Sequence, residues 1–458
     1  MTSFHMDTLK KWYREHFDVL FRDYCTFLRF QSMSTDPAFA QETKRAADWV
    51  CSYLNQMGMQ ASLWETSGYP VVFGEYKAGN DCPTIFLYSH YDVQPVDPIE
   101  LWKHDPFSPH LENGVVYARG AADNKGQCMY VMAALRAFLS LGKEKKINIK
   151  YFIEGEEESG SHGTLEALKT HRDALRADAL FVVDAGMLTP NTPAVTIGVR
   201  GIMTMEIALQ NSNADLHSGI HGGIVLNPNR AFVTLFAQLW DETGRVQVPG
   251  FYDAVQKISE EERACLDLSF DRETYTRNFG VHAFCPEGEE QGFVTSNWFM
   301  PTLEMNGMSG GYTGSGFKTV IPSVARAKIS CRLVPNQDPV TIAKAIAAYL
   351  RAKAPKGFKV TIEEGHGAPA YRVSPTSKVV KEATRALKSA FGVPAQCILC
   401  GASVPIVHDL AIASGAEAVL IGVGLDTDDI HAPNEHFSLK QLEQGFLTIA
   451  TLLGDYAI

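Results

Sequence analysis

The chain has 458 residues, 45% hydrophobic and 20% charged, the composition of an ordinary globular protein long enough for two domains. Its 41 basic and 52 acidic residues give a net charge of −11 with no basic block, which argues against nucleic acid and anionic membranes as main partners. Nine scattered cysteines, an odd number, fit the reduced thiols of a cytoplasmic protein better than a disulfide framework, and Cys397 and Cys400, a lone CxxC, read as structural.

In chain order, Leu9, Trp12, Phe17, Leu20 and Phe21 recur at helical spacing, with no apolar segment and cleavage site of a signal peptide. No stretch approaches about 18 uninterrupted apolar residues, so no membrane span is expected. The pattern predicts a helix over "ETKRAADWVCSYLNQMG" ending at Gly58, strands over "VVFGEY" and "TIFLYSH", and a helix over "KGQCMYVMAALRAFLSLG" ending at Gly142. The strands "INIKYFI" and "ALFVVD" follow. Apolar strands alternating with helices indicate an α/β sheet covered on both faces. From about Val199, "MTMEIALQNSN", "KTVIPSVARAKISCRLVP" and "FKVTIEEG" alternate in polarity around helical stretches near 229–242 and 338–354. After Gly367, the helix "SKVVKEATRALKSAFG" and the strand "EAVLIGVG" return to the first style. The expected organisation is a discontinuous α/β domain, 1–198 plus 367–458, enclosing an inserted α+β domain, 199–366.

Ligands in open α/β sheets bind beyond the carboxyl ends of the strands. There the sequence repeats one chemistry: "TIFLYS" runs into His90 and Asp92, "INIKYFIEG" into Glu157 and Glu158, "ALFVV" into Asp184, and "EAVLIGVGLDTDDI" into His431, with Asp123 just before the helix near Lys125. A single such residue is usually a hydrogen-bonded turn residue. Four strand ends with only His, Asp and Glu form an N/O donor set suited to Zn²⁺, Mn²⁺ or Co²⁺. One carboxylate is surplus for a single zinc, which suggests two metals sharing a bridging carboxylate. The cations would supply counter-charge to "EGEEESGS", with its four carboxylates in five positions, Glu154, Glu156, Glu157 and Glu158. Asp92, two residues beyond His90, is placed to accept the imidazole's other N–H. Adjacent residues of an extended segment point to opposite sides, so one of Glu157 and Glu158 is expected on a metal and the other free as general base.

The motifs "SHYDVQP", "GAADNKG", "EGEEESGS", "DLHSGIHGG", "GSGFKTVIP", "RLVPNQ", "GASVP" and "IHAPNE" resemble, in order, those of the di-metal metallopeptidase family of aminoacylase, glutamate carboxypeptidase and carnosine dipeptidase, peptidase family M20. The resemblance runs from about residue 15 onward and looks closest to the cytosolic non-specific, carnosinase-like dipeptidases. It implies a mixed-sheet, zinc-peptidase-like catalytic domain with an inserted lid and dimerisation domain. It further implies that His90 and Asp184 hold one divalent metal, Glu158 and His431 the other, and that Asp123 bridges them. Asp92 would orient His90 and Glu157 would be the general base. His217 would stabilise the oxyanion across a homodimer, and Thr319 would also act across it. Arg332, His366 and Ser403 would grip a small peptide substrate, Arg332 by its C-terminal carboxylate. A cis peptide between Asp123 and Asn124 is implied as well. Glu156 departs from the family's usual apolar residue and is expected to face away from the metals; His221 is expected to be a turn residue.

The expected reaction is metal-dependent hydrolysis of dipeptides or short peptides with a free C-terminus. The alternative is an N-acyl-amino-acid deacylase or carboxypeptidase using the same centre. A non-catalytic binding protein on this fold would be expected to lack a ligand or the base, and here every position is filled. A serine hydrolase has only the formal G-x-S-x-G at residues 307–311 in its favour.

Overall fold

The structure, a computed structural model, describes residues 5–141 and 145–457, and the side chain of His366 lies outside that description. The chain forms two compact units, one of residues 1–197, 373–398 and 409–458, the other of residues 198–372 and 399–408.

The first unit is built on a mixed sheet whose strands lie in the order Gln60–Trp64, Val71–Tyr76, Asn148–Glu154, Thr84–His90, Ala179–Val183, Ala418–Ile421, Ala194–Val199. The central strands Asn148–Glu154, Thr84–His90, Ala179–Val183 and Ala418–Ile421 run parallel, and antiparallel pairs flank them. Every residue of Asn148–Glu154 is buried. Successive strand side chains point to opposite faces, so both faces of the sheet are covered there. Even Lys150 lies inside, its ammonium donating to the carbonyl of Arg176 at 2.6 Å.

The covering helices are amphipathic or largely apolar as their depth demands. Lys125–Leu141 is buried along its first eleven residues and packs against both Leu439–Tyr456 and Met6–Leu28. Leu439–Tyr456 begins with a capping box, in which Ser438 Oγ accepts from the Gln441 amide and the Gln441 side chain accepts from Ser438 N. The helix predicted to Gly58 ends at Gln56, and Gly58 takes φ +98° where the chain turns into the first strand. The predicted stop at Gly142 lies outside the described residues.

The second unit carries an antiparallel sheet in the order Thr302–Ser309, Val324–Leu333, Gly201–Gln210, Lys359–Ala368. Alternate burial along Val324–Leu333 gives it one core face. Met203, Ile207, Ile329 and Cys331 of that face pack with Phe232 of the helix Pro228–Phe236 and Ile346 of the helix Pro339–Lys353. Four short helices between residues 260 and 299 have no counterpart in the sequence reading, since none is long enough to show a helical period.

The compact units differ from the predicted boundaries by one residue at Gly198 and more widely at two further places. Residues 367–372 continue the second unit, because Gly367 and Ala368 still pair with the strand Gly201–Gln210. Residues 399–408 also join it: the Arg200 amide donates to the Ala402 carbonyl at 3.0 Å, and its Nε to the Gly401 carbonyl at 2.7 Å. Such pairings between distant residues leave no periodic trace in sequence.

Candidate metal centre

Parallel strands deliver their carboxyl ends to one edge of the sheet, and the predicted donors meet at that edge. His90 is the last residue of its strand and pairs in register with Glu154, so the turn after Glu154 starts beside it. Asp184 follows Val183 directly. Asp123 precedes the helix that starts at Lys125, across a cis peptide to Asn124. His431 is held at φ +62°, a left-handed conformation uncommon for a side chain with a Cβ.

Asp123 touches both imidazoles, one carboxylate oxygen to each. Its Oδ1 lies 3.0 Å from His90 Nε2 and its Oδ2 2.9 Å from His431 Nε2. His90 Nε2 is also 3.8 Å from Asp184 Oδ1, and His431 Nε2 is 3.2 Å from Glu158 Oε1. Two sets of donor atoms result, His90 with Glu157 and Asp184, and Asp123 with Glu158 and His431; within each, ligand atoms lie inside 4.8 Å of one another. A cavity of about 590 Å³ opens over Asp123, Glu157, Asp184 and His431.

Neighbouring groups fix these side chains. Asp92, wholly buried, lies with Oδ1 3.2 Å from His90 Nδ1, and its Oδ2 accepts from Ser34 Oγ at 2.6 Å and the Glu158 amide at 3.1 Å. Asn124 Nδ2 donates to Asp184 Oδ1 at 2.8 Å, and Gln94 Nε2 to Glu158 Oε2 at 2.7 Å. Glu435 is buried and accepts four hydrogen bonds, from Arg119 Nη1 and the amides of Gly120, Ala122 and Asp123, each at 2.8–2.9 Å. It therefore shapes the loop that presents Asp123. Sequence reasoning gave no role to Glu435, Asn124 or Gln94, although each lies in a quoted motif. Ser34, far away in the chain, gave no signal.

The four carboxylates of "EGEEESGS" part company. Glu154 is wholly buried and accepts from Tyr88 Oη at 2.5 Å and Thr164 Oγ1 at 2.7 Å; burial pushes it up to about 7 despite these bonds. Glu156 turns to the Gly163 amide at 2.8 Å, away from the donor sets, where a Cβ on Gly163 would come within 2.3 Å of its carboxylate. Glu157 and Glu158 reach the centre, but not from an extended segment. Glu157–Ser159 is a 3₁₀ turn, whose three residues per turn separate neighbouring side chains by about 120° and so send them to different donor sets.

The electrostatics call for cations. Four carboxylates, those of Asp123, Glu157, Glu158 and Asp184, share this space with two imidazoles. Burial pushes Glu158 up to about 7, reinforced by the charge of Asp123. Burial also raises Glu157, with Asp184, Glu158 and Asp123 adding to it against the opposing effect of His90. Burial would depress His90, but the carboxylates of Asp123, Asp184 and Asp92 around it hold it well above 6.5, and the adjacent carboxylates of Asp123 and Glu158 push His431 up to about 10. Glu158 Oε1 is the specific indication: it is buried and, for all its proximity to His431, makes no hydrogen bond. An orphaned carboxylate oxygen beside the His431 imidazole and a second carboxylate, that of Asp123, fits a divalent metal ligand.

Residues 86–455 match the family described as Peptidase family M20/M25/M40. The chain belongs to that family. This M20 member is 30% identical over 384 residues to the Beta-Ala-His dipeptidase of Rattus norvegicus, covering 82% of the chain and 77% of the relative. It is 28% identical over 455 residues to the Cys-Gly metallodipeptidase DUG1 of Saccharomyces cerevisiae, covering 94% of each. A solved structure, the M20 family metallo-carboxypeptidase Sso-CP2 from Sulfolobus solfataricus, aligns with a TM-score of 0.84 at 31% identity, covering 96% of this chain and 99% of that one.

The remaining predicted residues of this M20 peptidase lie in the second unit. His217 is exposed, sits on the short strand Leu216–His217 paired with Val320–Ile321, and accepts from the Gly219 amide on Nδ1 at 3.1 Å. Thr319, also exposed, adjoins it through a Ser218 N–H bond to the Thr319 carbonyl at 2.9 Å. Arg332 Nη1 donates to Ser403 Oγ at 2.7 Å, and burial together with Arg332's charge pushes the neighbouring Arg200 down to about 10. His366 lies on the strand Lys359–Ala368, its side chain outside the description. His221 serves a turn, its carbonyl accepting from the amides of Ile224 and Val225. Ser309 ends a strand with no helix over 310–319, so the region is no nucleophile elbow.

Proposed function

We propose that the protein hydrolyses the peptide bond of dipeptides or short peptides with a free C-terminus, using two divalent metals, Zn²⁺ with Mn²⁺ or Co²⁺ as substitutes. The observation that carries this is Asp123, with one carboxylate oxygen on each of two histidines that belong to different donor sets. His90 and Asp184 would hold one cation, Glu158 and His431 the other, with Asp123 shared. Bound there, the cations would polarise the scissile carbonyl and bring the pKa of an attacking water towards neutrality.

The chain's own groups do the rest. Asp92 holds the His90 ring so that Nε2 faces the centre. Glu157 takes the proton of the attacking water and delivers it to the leaving amine. His217 donates to the developing oxyanion from the partner protomer, with Thr319 beside it. Arg332, with Ser403 and His366, receives the substrate's terminal carboxylate, for which a planar guanidinium is suited. Exposed Ile220, Ile224 and Met308 of the second unit support a homodimer formed there. Nine free cysteines support a cytoplasmic location, and among the described residues no helix is long and apolar enough to cross a membrane.

The names of the two curated relatives support the dipeptidase reading, and the Sulfolobus carboxypeptidase supports the alternative of a carboxypeptidase or N-acyl-amino-acid deacylase on the same centre. Initial rates on a dipeptide panel and matched N-acetyl amino acids decide between them, with enzyme stripped of metal and reloaded with Zn²⁺ or Mn²⁺. Faster dipeptide cleavage, only with metal restored, is expected. Faster acetate release would move the protein to the deacylases, and activity without metal would refute the two-metal reading.

A further inference from the structure

Away from this centre, the first unit brings together two imidazoles and a carboxylate that the proposed reaction does not use. Donor atoms of His104, His110 and Glu112 all lie within 4.8 Å of one another. His110 and Glu112 are two residues apart on the strand His110–Glu112, so both side chains leave the same face. The ring of His104 stacks on that of His110, centroids 3.7 Å apart and planes at 21°. We propose that these three side chains form a third, peripheral cation site for Zn²⁺ or another imidazole-seeking transition metal.

The site is built before any ion arrives. The turn that brings His104 over the strand is closed on Asp105: the Ser108 amide donates to the Asp105 carbonyl at 3.0 Å and the Phe107 amide to Asp105 Oδ1 at 2.9 Å. Two further bonds pin its ends, Lys103 N to Asn434 Oδ1 at 2.8 Å and Arg119 N to the Pro106 carbonyl at 2.8 Å. A cation would therefore meet ligands already gathered, with little ordering left to do. Two imidazoles and one carboxylate are a normal zinc donor set, and the exposure of His104 and Glu112 leaves the fourth position to water. Ring stacking accounts for the two histidines facing each other. It does not account for a carboxylate oxygen within 4.8 Å of a ring nitrogen of each.

The donor chemistry predicts selectivity. Imidazole-rich sites favour Zn²⁺, Ni²⁺ and Cu²⁺, whereas Mn²⁺ prefers carboxylates and water. The carboxylate-rich centre at Asp123 suits either ion, but the peripheral site should discriminate.

The test is metal stoichiometry by equilibrium dialysis of the full chain, wild type against the double variant His104→Ala/His110→Ala, in Zn²⁺ and separately in Mn²⁺. In Zn²⁺ the wild type should hold about one equivalent more than the variant; in Mn²⁺ the two should match. Equal content in Zn²⁺ overturns the proposal, and so does an excess of the same size in Mn²⁺. If the double variant loses more than one equivalent, Glu112→Gln, an exposed isosteric change, decides: the same single-equivalent loss supports the site, and no loss overturns it. The proposal does not depend on the catalytic reading, since metal is counted without turnover.

Discussion

The separation of Glu157 from Glu158 is the residue-scale feature on which the proposed chemistry turns. Glu157→Gln keeps the shape of the side chain and removes its capacity to take a proton. Turnover should fall by at least about 10²-fold, on the general-base scale, while metal content stays near that of the wild type. Atomic absorption on the purified variant checks the second half. A variant that loses metal along with activity would make Glu157 a ligand and leave the base to be found elsewhere. Glu154 gives a prediction of a different kind. Burial raises its folded-state pKa from the usual carboxylate value to about 7, so between these values the folded state retains a proton that the unfolded chain has given up. Stability from this group is therefore present at low pH and lost as pH rises from about 4.5 to about 7, on the order of 3 kcal/mol in all. In chelator, to remove the contribution of metal, the denaturation midpoint of wild type should decline across that window relative to Glu154→Gln. Parallel pH profiles would contradict it.

At the scale of elements, the centre depends on how loops are fastened to strand and helix ends. Glu435 gathers four donors of the loop before Asp123, and removing it should slacken that loop without touching a ligand. Glu435→Ala should weaken metal binding by about 10–100-fold, the usual effect of losing an outer partner, with dissociation constants read by chelator competition. Unchanged affinity would show that the Asp123 loop holds itself. Gly126 in the first turn of Lys125–Leu141 is a second fastening: a Cβ there would lie 2.0 Å from the Ala121 carbonyl oxygen and 2.9 Å from Phe437. Gly126→Ala should therefore displace the Asp123 loop at a cost of about 1–3 kcal/mol, seen as a lower melting temperature together with weaker metal binding. These fastenings mark where the sequence stops being readable. The long strands and helices were legible because buried apolar residues repeat with a fixed period, and the candidate ligands His90, Glu158 and Asp184 because each lies at or just beyond the end of such a strand. The pairing of Glu435 with the Asp123 loop joins residues about 312 apart, and no local pattern carries it. The short helices between 260 and 299 failed for the related reason that one or two turns hold too few periods. Glu157 and Glu158 were assigned different directions from an extended geometry that a 3₁₀ turn replaces, so that assignment rested on a geometry absent from the structure.

At the scale of the whole molecule, the open question is whether an active site belongs to one chain or to two. His217 is exposed in its own unit, and among the described residues its ring accepts a hydrogen bond from the Gly219 amide alone, as expected of a group that serves another protomer. Complementation separates the cases. In a homodimer where His217 acts across the interface, His217→Ala and Glu157→Gln are each inactive for different reasons. In their mixed dimer, one site combines the intact Glu157 of the first protomer with the intact His217 of the second. Random exchange makes about half of the dimers mixed, and half of their sites complete, so about a quarter of wild-type activity should return on mixing. If His217 serves its own chain, every site lacks one group and mixing restores nothing. Recovery should also fall on dilution below the dimer's dissociation constant, because the complete site then exists only while two chains remain together.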